Sequence, residues 1–256
     1  MEPPLSCVSA DQNENLVAEH IVKSFHDQLE ALSTAITQMG GLCEAQLADA
    51  IDAIARRDVG LAENIIKLDA KIDALELRIE QQAISLLALR QPLASDLRTT
   101  LGALKISVDL ERIGDLAKNI AKRATVVSRD VTDQNLTQGL VRMGRLALSQ
   151  LKGVLDAFSR RDVNAATVVW KCDEEIDEIY NSLFRELLTY MMEDPRKISP
   201  STHLLFIAKN FERIGDHATN IAETVSYIVT GSKMADERPK SDNTHSASVS
   251  NRETEK

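Results

Sequence analysis

The sequence predicts an all-α fold made of two tandem three-helix bundles, which are related by an internal repeat and by approximate two-fold symmetry. Aromatic residues are rare, with five Phe, three Tyr and one Trp, and there are only six prolines, which argues against a β-sandwich or barrel. Apolar residues recur at spacings of three and four, as in Ile65, Leu68, Ile72, Leu75 and Ile79, which is the period of an amphipathic helix. The third observation is the repeat itself.

Helix boundaries follow from prolines and polar clusters. Pro92 separates helices two and three, and the segment 194–200, which contains two prolines, separates helices five and six. The polar stretch 128–134 divides the chain in the middle. Arg-Arg-Asp turns follow helices one and four, and Asp58 is placed to cap helix two. The predicted helices therefore span 16–55, 58–90, 93–127, 134–159, 162–193 and 200–229.

Two parts of the chain occur twice. A shift of 104 aligns RRDVGLAENIIKLDAKID with RRDVNAATVVWKCDEEID, with nine of eighteen positions identical. A shift of 101 aligns ERIGDLAKNIAK with ERIGDHATNIAE, with nine of twelve identical. We therefore assign 17–128 to the first bundle and 129–230 to the second. The segments 1–16 and 231–256 hold too few apolar residues for a core, so we expect them to be disordered.

Charge and cysteine usage argue against several classes of protein. Thirty basic and thirty-nine acidic residues leave a net charge of −9, which is the wrong sign for holding nucleic acid through its phosphates. The three cysteines form no CxxC pair, so neither a disulfide framework nor a zinc knuckle is indicated. The amino terminus lacks a secretory pattern, and no run of eighteen apolar residues occurs. We expect a soluble cytoplasmic protein.

The candidate metal ligands are carboxylates that recur four residues apart on helices two, three, five and six. They are Asp69, Asp73, Glu111 and Asp115 in the first copy, and Asp173, Asp177, Glu212 and Asp216 in the second. Like charges at this spacing repel on a helix, so a pair present in both copies indicates a compensating cation. If the two helices of each copy pack antiparallel, their four carboxylates converge on one patch, which suits hard cations such as Mg, Mn, Ca or iron.

An ordinary acidic helix face is the alternative for these carboxylates, with Arg112 and Arg213 supplying local ion pairs. Two glycines, Gly114 and Gly215, favour a more specific role. Each lies inside a helix at a cost of about 1 kcal/mol relative to alanine, which indicates close backbone approach beside the carboxylates.

No motif in the sequence supplies catalytic groups. The Glu-x-x-His pairs of di-iron oxidases, Gly-rich phosphate loops and Cys/His nucleophile pairs are all missing. His217 adjoins one acidic motif, but its counterpart is Leu116, so we expect a structural role for it. We therefore expect a protein that is not an enzyme. The alternatives are a metal-dependent enzyme that uses the carboxylate patches, and a helical protein on membranes, which the negative charge disfavours.

Over about 17–229 the chain resembles the PhoU family of phosphate-uptake regulators. The resemblance rests on SFHDQLEAL, ITQMGGLCEAQLADAI, the segment from RRDVG to SDLR, and two ERIGD-x-A-x-NIA segments. It implies a homodimer, and metal clusters bound on each bundle through E/D-x-x-x-D motifs, with iron, manganese, magnesium or zinc as the metal. One departure is Asp109, whose counterpart is Asn210, so the first cluster is expected to hold one more charge.

The same resemblance implies a negative regulator. It would act as an adaptor between the ATPase subunit of the phosphate-specific ABC transporter and a sensor histidine kinase, silencing phosphate-starvation genes when phosphate is plentiful. Such a protein would be cytoplasmic and would lie at the inner membrane through its partners.

Overall fold

The computed structural model describes residues 8–90, 92–128 and 134–234, and these form helices with short connections. The helices are α1 (Val8–Arg56), α2 (Val59–Leu68), α3 (Ala70–Arg90), α4 (Ala94–Val127), α5 (Gln134–Arg160), α6 (Val163–Lys171), α7 (Asp173–Glu193) and α8 (Ile198–Thr230), with a 3-10 turn at Pro195–Lys197. The first bundle contains α1 to α4 and the second contains α5 to α8. The all-α fold of two tandem helical repeats is therefore confirmed.

The turns after α1 and α5 have the same conformation in both repeats. Arg57 and Arg161 adopt left-handed backbone conformations, with φ of 54° and 52°. The following aspartates cap the next helix: Asp58 Oδ1 accepts a hydrogen bond from the Leu61 amide at 2.9 Å, and Asp162 Oδ1 accepts from two amides. The cap predicted at Asp58 is confirmed, and the repeat extends to the backbone geometry.

The predicted helices 58–90 and 162–193 are each interrupted once in the structure. The first is divided at Asp69 into α2 and α3, and the second is divided at Cys172 into α6 and α7. At Asp69 the carbonyl accepts from the Ile72 amide at 2.8 Å, which tightens the backbone toward a 3-10 turn. The tightening accompanies the burial of the Asp69 side chain, which is 4 % exposed. A regular apolar period carries no signal for such a one-residue interruption.

The chain ends differ in part from the sequence expectation. The first helix begins at Val8, so residues 8–16 are helical rather than part of a disordered segment. At the other end, α8 stops at Gly231, whose φ of 76° suits a left-handed helix cap. Met234 packs against the core, and the rest of the predicted tail, 235–256, lies outside the described residues, as does 1–7.

The two repeats share one core. Helices α4 and α8 cross antiparallel in the centre of the molecule, where Gly102 approaches Ile228 near one end and Arg123 lies over the ring of Phe206 near the other. Phe211 is fully buried against Gly144 of α5, which also faces Ile51 of α1. Burial of each large apolar side chain contributes about 1.5–3 kcal/mol, so the shared core links the two bundles firmly. None of the described helices is both long enough and apolar enough to cross a bilayer.

Candidate metal centre

The first acidic cluster forms where α3 and α4 run side by side. Asp69 and Asp115, 46 positions apart, are bridged by the ammonium of Lys118. Burial raises the pKa of Asp73, and the charges of Asp69 and Asp115 raise it further, although Lys118 opposes them. Burial likewise raises the pKa of Glu111, with added repulsion from Asp115 and Asp73. The structure therefore brings all four predicted carboxylates of the first copy onto one patch.

Lys118 bridges two carboxylates of this patch in the structure. Its Nζ donates to Oδ2 of Asp69 and, at 2.5 Å, to Oδ1 of Asp115. Burial alone would lower the pKa of Lys118, but the hydrogen bonds to Asp115 and Asp69 outweigh burial and raise the pKa above its ordinary value. Lys118 was not among the predicted site residues, although its place one turn after Asp115 puts it on the same helix face.

Glu76 is a second site residue that no sequence motif predicted. It lies on α3, three positions after Asp73. Burial raises the pKa of Glu76, as do the charges of Glu80 and Asp73, whereas Arg112 lowers it. Arg112, whose side chain is exposed, also makes an ion pair with Glu111 at 3.5 Å. The local pairing of the alternative interpretation is therefore present at the rim of the patch.

The second acidic cluster lies where α7 and α8 meet. Asp177 is 4 % exposed and Glu212 is 6 % exposed. Burial raises the pKa of Glu212, the charges of Asp216 and Asp177 raise it further, and Lys209 lowers it. Three of the four predicted carboxylates are thus close together, while the side chain of Asp173 lies outside the described part of the structure.

Glu212 has an incomplete set of partners. Its Oε1 accepts a hydrogen bond from Lys209 Nζ at 2.9 Å. Its Oε2 is buried and has no hydrogen-bond partner among the residues that the structure describes. An unpaired carboxylate oxygen in a buried place is costly, so this atom is available to a ligand that brings positive charge.

A glutamine on the first helix of each repeat supports the neighbouring cluster. Gln46 Nε2 donates to Oδ1 of Asp69 at 3.2 Å, and Gln150 Nε2 donates to the carbonyl of Cys172 at 2.9 Å. Both glutamines are buried, and the shift of 104 aligns them. A polar residue at the same place in the apolar helix face of both repeats is the sequence feature that predicts them.

The structure confirms the close approach between helices that was predicted at Gly114. An added Cβ would lie 3.0 Å from Cδ1 of Ile72 and 3.3 Å from Oε1 of Gln46. Glycine therefore lets α4 approach both α1 and α3 at the level of the acidic cluster.

The expectation that Asp109 adds charge to the first cluster is wrong. Its Oδ1 lies 2.8 Å from Nδ1 of His217 and accepts from Nδ2 of Asn220 at 3.4 Å, so it faces α8 of the other repeat. Residues two positions apart on an α-helix are separated by about 200° around its axis. Asp109 therefore points away from Glu111.

The clusters differ in which groups contact their carboxylate oxygens. Carboxylate oxygens suit hard cations in both, yet no three carboxylate, histidine or cysteine side chains are arranged as ligands in the described ranges. In the first cluster Lys118 already occupies the position between Asp69 and Asp115. In the second cluster Glu212 keeps a buried oxygen without a partner.

Comparison with known proteins decides the family. The model of the PhoU domain matches the chain twice, over 36–124 and 140–225, and each match contains one acidic cluster. The chain belongs to the PhoU family. A protein of Caulobacter vibrioides named "Phosphate-specific transport system accessory protein PhoU homolog" is 53 % identical over 226 residues, which cover 88 % of this chain and 98 % of that protein. A protein of the same name from Rhizobium meliloti is 52 % identical over 88 % of this chain and 95 % of its own length.

Solved PhoU structures show the same architecture. The crystal structure of PhoU from Pseudomonas aeruginosa superposes with a TM-score of 0.79 at 39 % identity, covering 81 % of this chain and all of that one. The phosphate transport system regulatory protein PhoU from Streptococcus pneumoniae gives a TM-score of 0.75 at 32 % identity, with 82 % of this chain and 99 % of that one covered. The PhoU family identified from the ERIGD motifs is thus confirmed.

Proposed function

We propose that this chain is an accessory regulator of phosphate transport. The observation that carries the proposal is the 53 % identity that extends over 98 % of a relative named as an accessory protein of the phosphate-specific transport system. A match over nearly the full length includes both repeats and both acidic clusters. The similarity that supports the proposed role therefore covers both repeats and is not limited to one short motif.

In the finer form of the proposal the chain is an adaptor. It contacts the ATPase subunit of the phosphate-specific ABC transporter and a sensor histidine kinase, and it silences phosphate-starvation genes when phosphate is plentiful. It acts as a homodimer on the cytoplasmic side of the inner membrane, held there by its partners, and it is not an enzyme. The acidic clusters are its cation sites, for iron, manganese, magnesium or zinc.

An exposed apolar stripe on the first repeat supports a role in binding protein partners. The stripe consists of five side chains that are between 37 % and 55 % exposed: Leu77 and Ile84 on α3, and Leu97, Leu101 and Val108 on α4. The positions recur at helical spacing: 77 and 84 are seven apart on α3, and 97, 101 and 108 are four and seven apart on α4. Aliphatic side chains repeated at helical spacing on a solvent-facing surface are typical of a docking surface.

A reporter experiment tests the regulatory role. A strain that lacks this chain should express a phosphate-starvation reporter in high phosphate, and the wild-type chain should silence it. A variant with Ile84→Asp and Leu101→Asp should fold normally and fail to silence. Val168→Asp is the matched control, because Val168 is 63 % exposed on α6, outside the stripe. Normal silencing in the strain that lacks the chain would contradict the proposal.

The adaptor form is tested by recovering partners from cells. The tagged chain should capture transporter and kinase subunits in high phosphate, identified by mass spectrometry, and the stripe variant should capture neither. Capture of the same amounts by the stripe variant would show that the partners bind elsewhere.

The second candidate function is a metal-dependent enzyme, favoured by the buried unpaired oxygen of Glu212. It predicts phosphatase or oxidase turnover by the purified chain when manganese, magnesium or iron is added. Turnover that disappears in Glu212→Gln would favour this candidate over the regulator.

A further inference from the structure

A groove between the two repeats contains none of the carboxylates of the acidic clusters. It is lined by the side of α5 from Gln134 to Leu146 and by Ala55 at the end of α1, and its volume is about 500 Å³. Volumes of about 300–1,000 Å³ are typical of sites that hold small molecules. We call this site the α5 groove.

The charged side chains that line the α5 groove are all positive. Arg142 and Arg145 lie one turn apart on α5, and the described residues that line the groove include no Asp or Glu. Gln134 and Gln138 precede Arg142 at a spacing of four, so their amides lie along the same side of the helix. The chain as a whole has a net charge of −9. A local surface of opposite sign therefore favours an anionic ligand.

The two arginines are available to such a ligand. Arg145 is exposed and makes no hydrogen bond or ion pair with another described residue. Arg142 makes an ion pair with Oε1 of Glu175 at 3.7 Å, and the two side chains are 70 % and 54 % exposed. Because exposed ion pairs contribute little to stability, an anion can compete with Glu175 for Arg142. Like charges one turn apart also repel, and an anion between them relieves that repulsion.

The corresponding surface of the first repeat has a different charge. Under the shift of 104, three polar positions of the groove change: Gln134 corresponds to Glu30, Arg142 to Gln38 and Arg145 to Gly41. The cleft that contains Glu30 is lined by one arginine, Arg161. One repeat thus has two arginines and no carboxylate at this place, whereas the other has one arginine and one carboxylate. The positive groove is therefore a property of the second repeat and does not follow from the shared fold.

We infer that the α5 groove binds a small molecule that carries two adjacent phosphoryl groups. Each guanidinium can donate two parallel hydrogen bonds to one phosphoryl group, so a pair of arginines matches a pair of phosphoryl groups. The amides of Gln134 and Gln138 supply further donors, and Val141 and Leu146 provide apolar contacts for the rest of the ligand. Eight residues line the groove, whereas a protein partner typically contacts about 20–30. A small molecule therefore fits the groove better than a protein segment does.

Titration of the purified chain with pyrophosphate tests the site. In metal-free buffer of low ionic strength, calorimetry should show one pyrophosphate bound per chain, and inorganic phosphate should bind more weakly. Arg145→Gln should weaken pyrophosphate binding about tenfold, because it removes charge-assisted hydrogen bonds. Arg142→Gln combined with Arg145→Gln should abolish measurable binding. Arg185→Gln is the matched control: it removes the same charge from an exposed position on α7, outside the groove, and should bind like the wild type.

Glu175→Gln tests the sign of the charge effect. This variant frees Arg142 from its ion pair, so pyrophosphate should bind severalfold more tightly than to the wild type. Glu186→Gln, which removes a negative charge from another exposed position on α7, should change the affinity little. Circular dichroism and thermal melts of each variant establish that the fold is retained.

Three results would overturn the inference. The first is the absence of pyrophosphate binding at millimolar concentration, or equal binding by the wild type and the double arginine variant. The second is inorganic phosphate that binds as tightly as pyrophosphate, because the site would then hold a single phosphoryl group. The third is a hexaglutamate peptide that binds through the two arginines while pyrophosphate does not, which would assign the groove to an acidic protein segment.

Discussion

His217 and Asp109 belong to different repeats and form a polar pair across the central interface, with 2.8 Å between Nδ1 and Oδ1. Their side chains are 18 % and 16 % exposed, and Asn220 donates to the same aspartate oxygen at 3.4 Å. The surrounding α4–α8 interface is mainly aliphatic. The pair therefore specifies how the two central helices are aligned, in a way that apolar packing alone does not.

Replacing Asp109 with Ala should weaken the contact between the repeats. The loss leaves His217 and Asn220 without a shared acceptor in a partly buried place, so the free energy of unfolding should fall by about 1–3 kcal/mol. Urea denaturation measures the change. Glu186→Ala, at an exposed position on α7, should change stability by less than about 0.5 kcal/mol. Equal effects of the two substitutions would show that the pair adds nothing.

Two glycines inside helices should respond in opposite ways to alanine. An added Cβ at Gly144 would lie 2.8 Å from Cγ1 of Ile51 and 2.8 Å from Cζ of Phe211, which is fully buried. Gly144→Ala should therefore lower the free energy of unfolding by about 1–3 kcal/mol through overpacking. At Gly41 an added Cβ meets nothing within 4 Å. Gly41→Ala should stabilise by about 1 kcal/mol through helix propensity, and thermal melts distinguish the two signs.

The cysteines should differ in reactivity. Cys43 is buried, and its Sγ donates to the carbonyl of Leu110 at 3.2 Å. Burial raises the pKa of Cys43, and the charges of Asp69 and Glu111 raise it further, so the reactive thiolate is strongly disfavoured. In a Cys7→Ser background at pH 8, iodoacetamide should label the exposed Cys172 and leave Cys43 unlabelled until the chain unfolds. Equal labelling of both in the native state, measured on peptides, would show that the site opens readily.

Stability should depend on pH through Glu212 in metal-free buffer. Its folded pKa is raised above an ordinary value of 4.5, chiefly by burial. Between 4.5 and the raised pKa the folded state therefore holds more protons than the unfolded state, and stability falls as pH rises through this range. Glu212→Gln removes the free-energy cost of ionising a buried carboxylate. The free energy of unfolding of this variant should therefore exceed that of the wild type by more at pH 7 than at pH 4.

Lys209→Met supplies the control for this pH dependence. Lys209 lowers the pKa of Glu212, so its loss should raise that pKa further and make the total fall in stability with rising pH larger. Urea denaturation with chelator at pH 4, 5, 6 and 7 measures both variants. A Glu212→Gln profile parallel to that of the wild type would contradict the raised pKa.

The carboxylate rows could be predicted because helical spacing and the repeat place them without tertiary information. Glu111 and Asp115 share a face of α4 by spacing alone. Asp69 lies at the break between α2 and α3, one turn before Asp73. Asp109 shows the limit of this reasoning: its nearness in sequence to Glu111 suggested the same cluster, yet its rotation around α4 directs it to His217. Which neighbour a helix face meets depends on packing between repeats, which no local spacing encodes.

The sequence by itself determined the all-α class, the duplication and the acidic rows, because the helical period and the repeat are local properties that the chain displays directly. Tertiary structure decided which charges meet. Lys118 lies 49 positions from Asp69, and only the packing of α4 against the break between α2 and α3 brings its ammonium between Asp69 and Asp115. In the second repeat the same packing leaves a buried oxygen of Glu212 without a partner among the described residues. The energy of such contacts depends on burial and on distance through space, and neither can be read from separation along the chain.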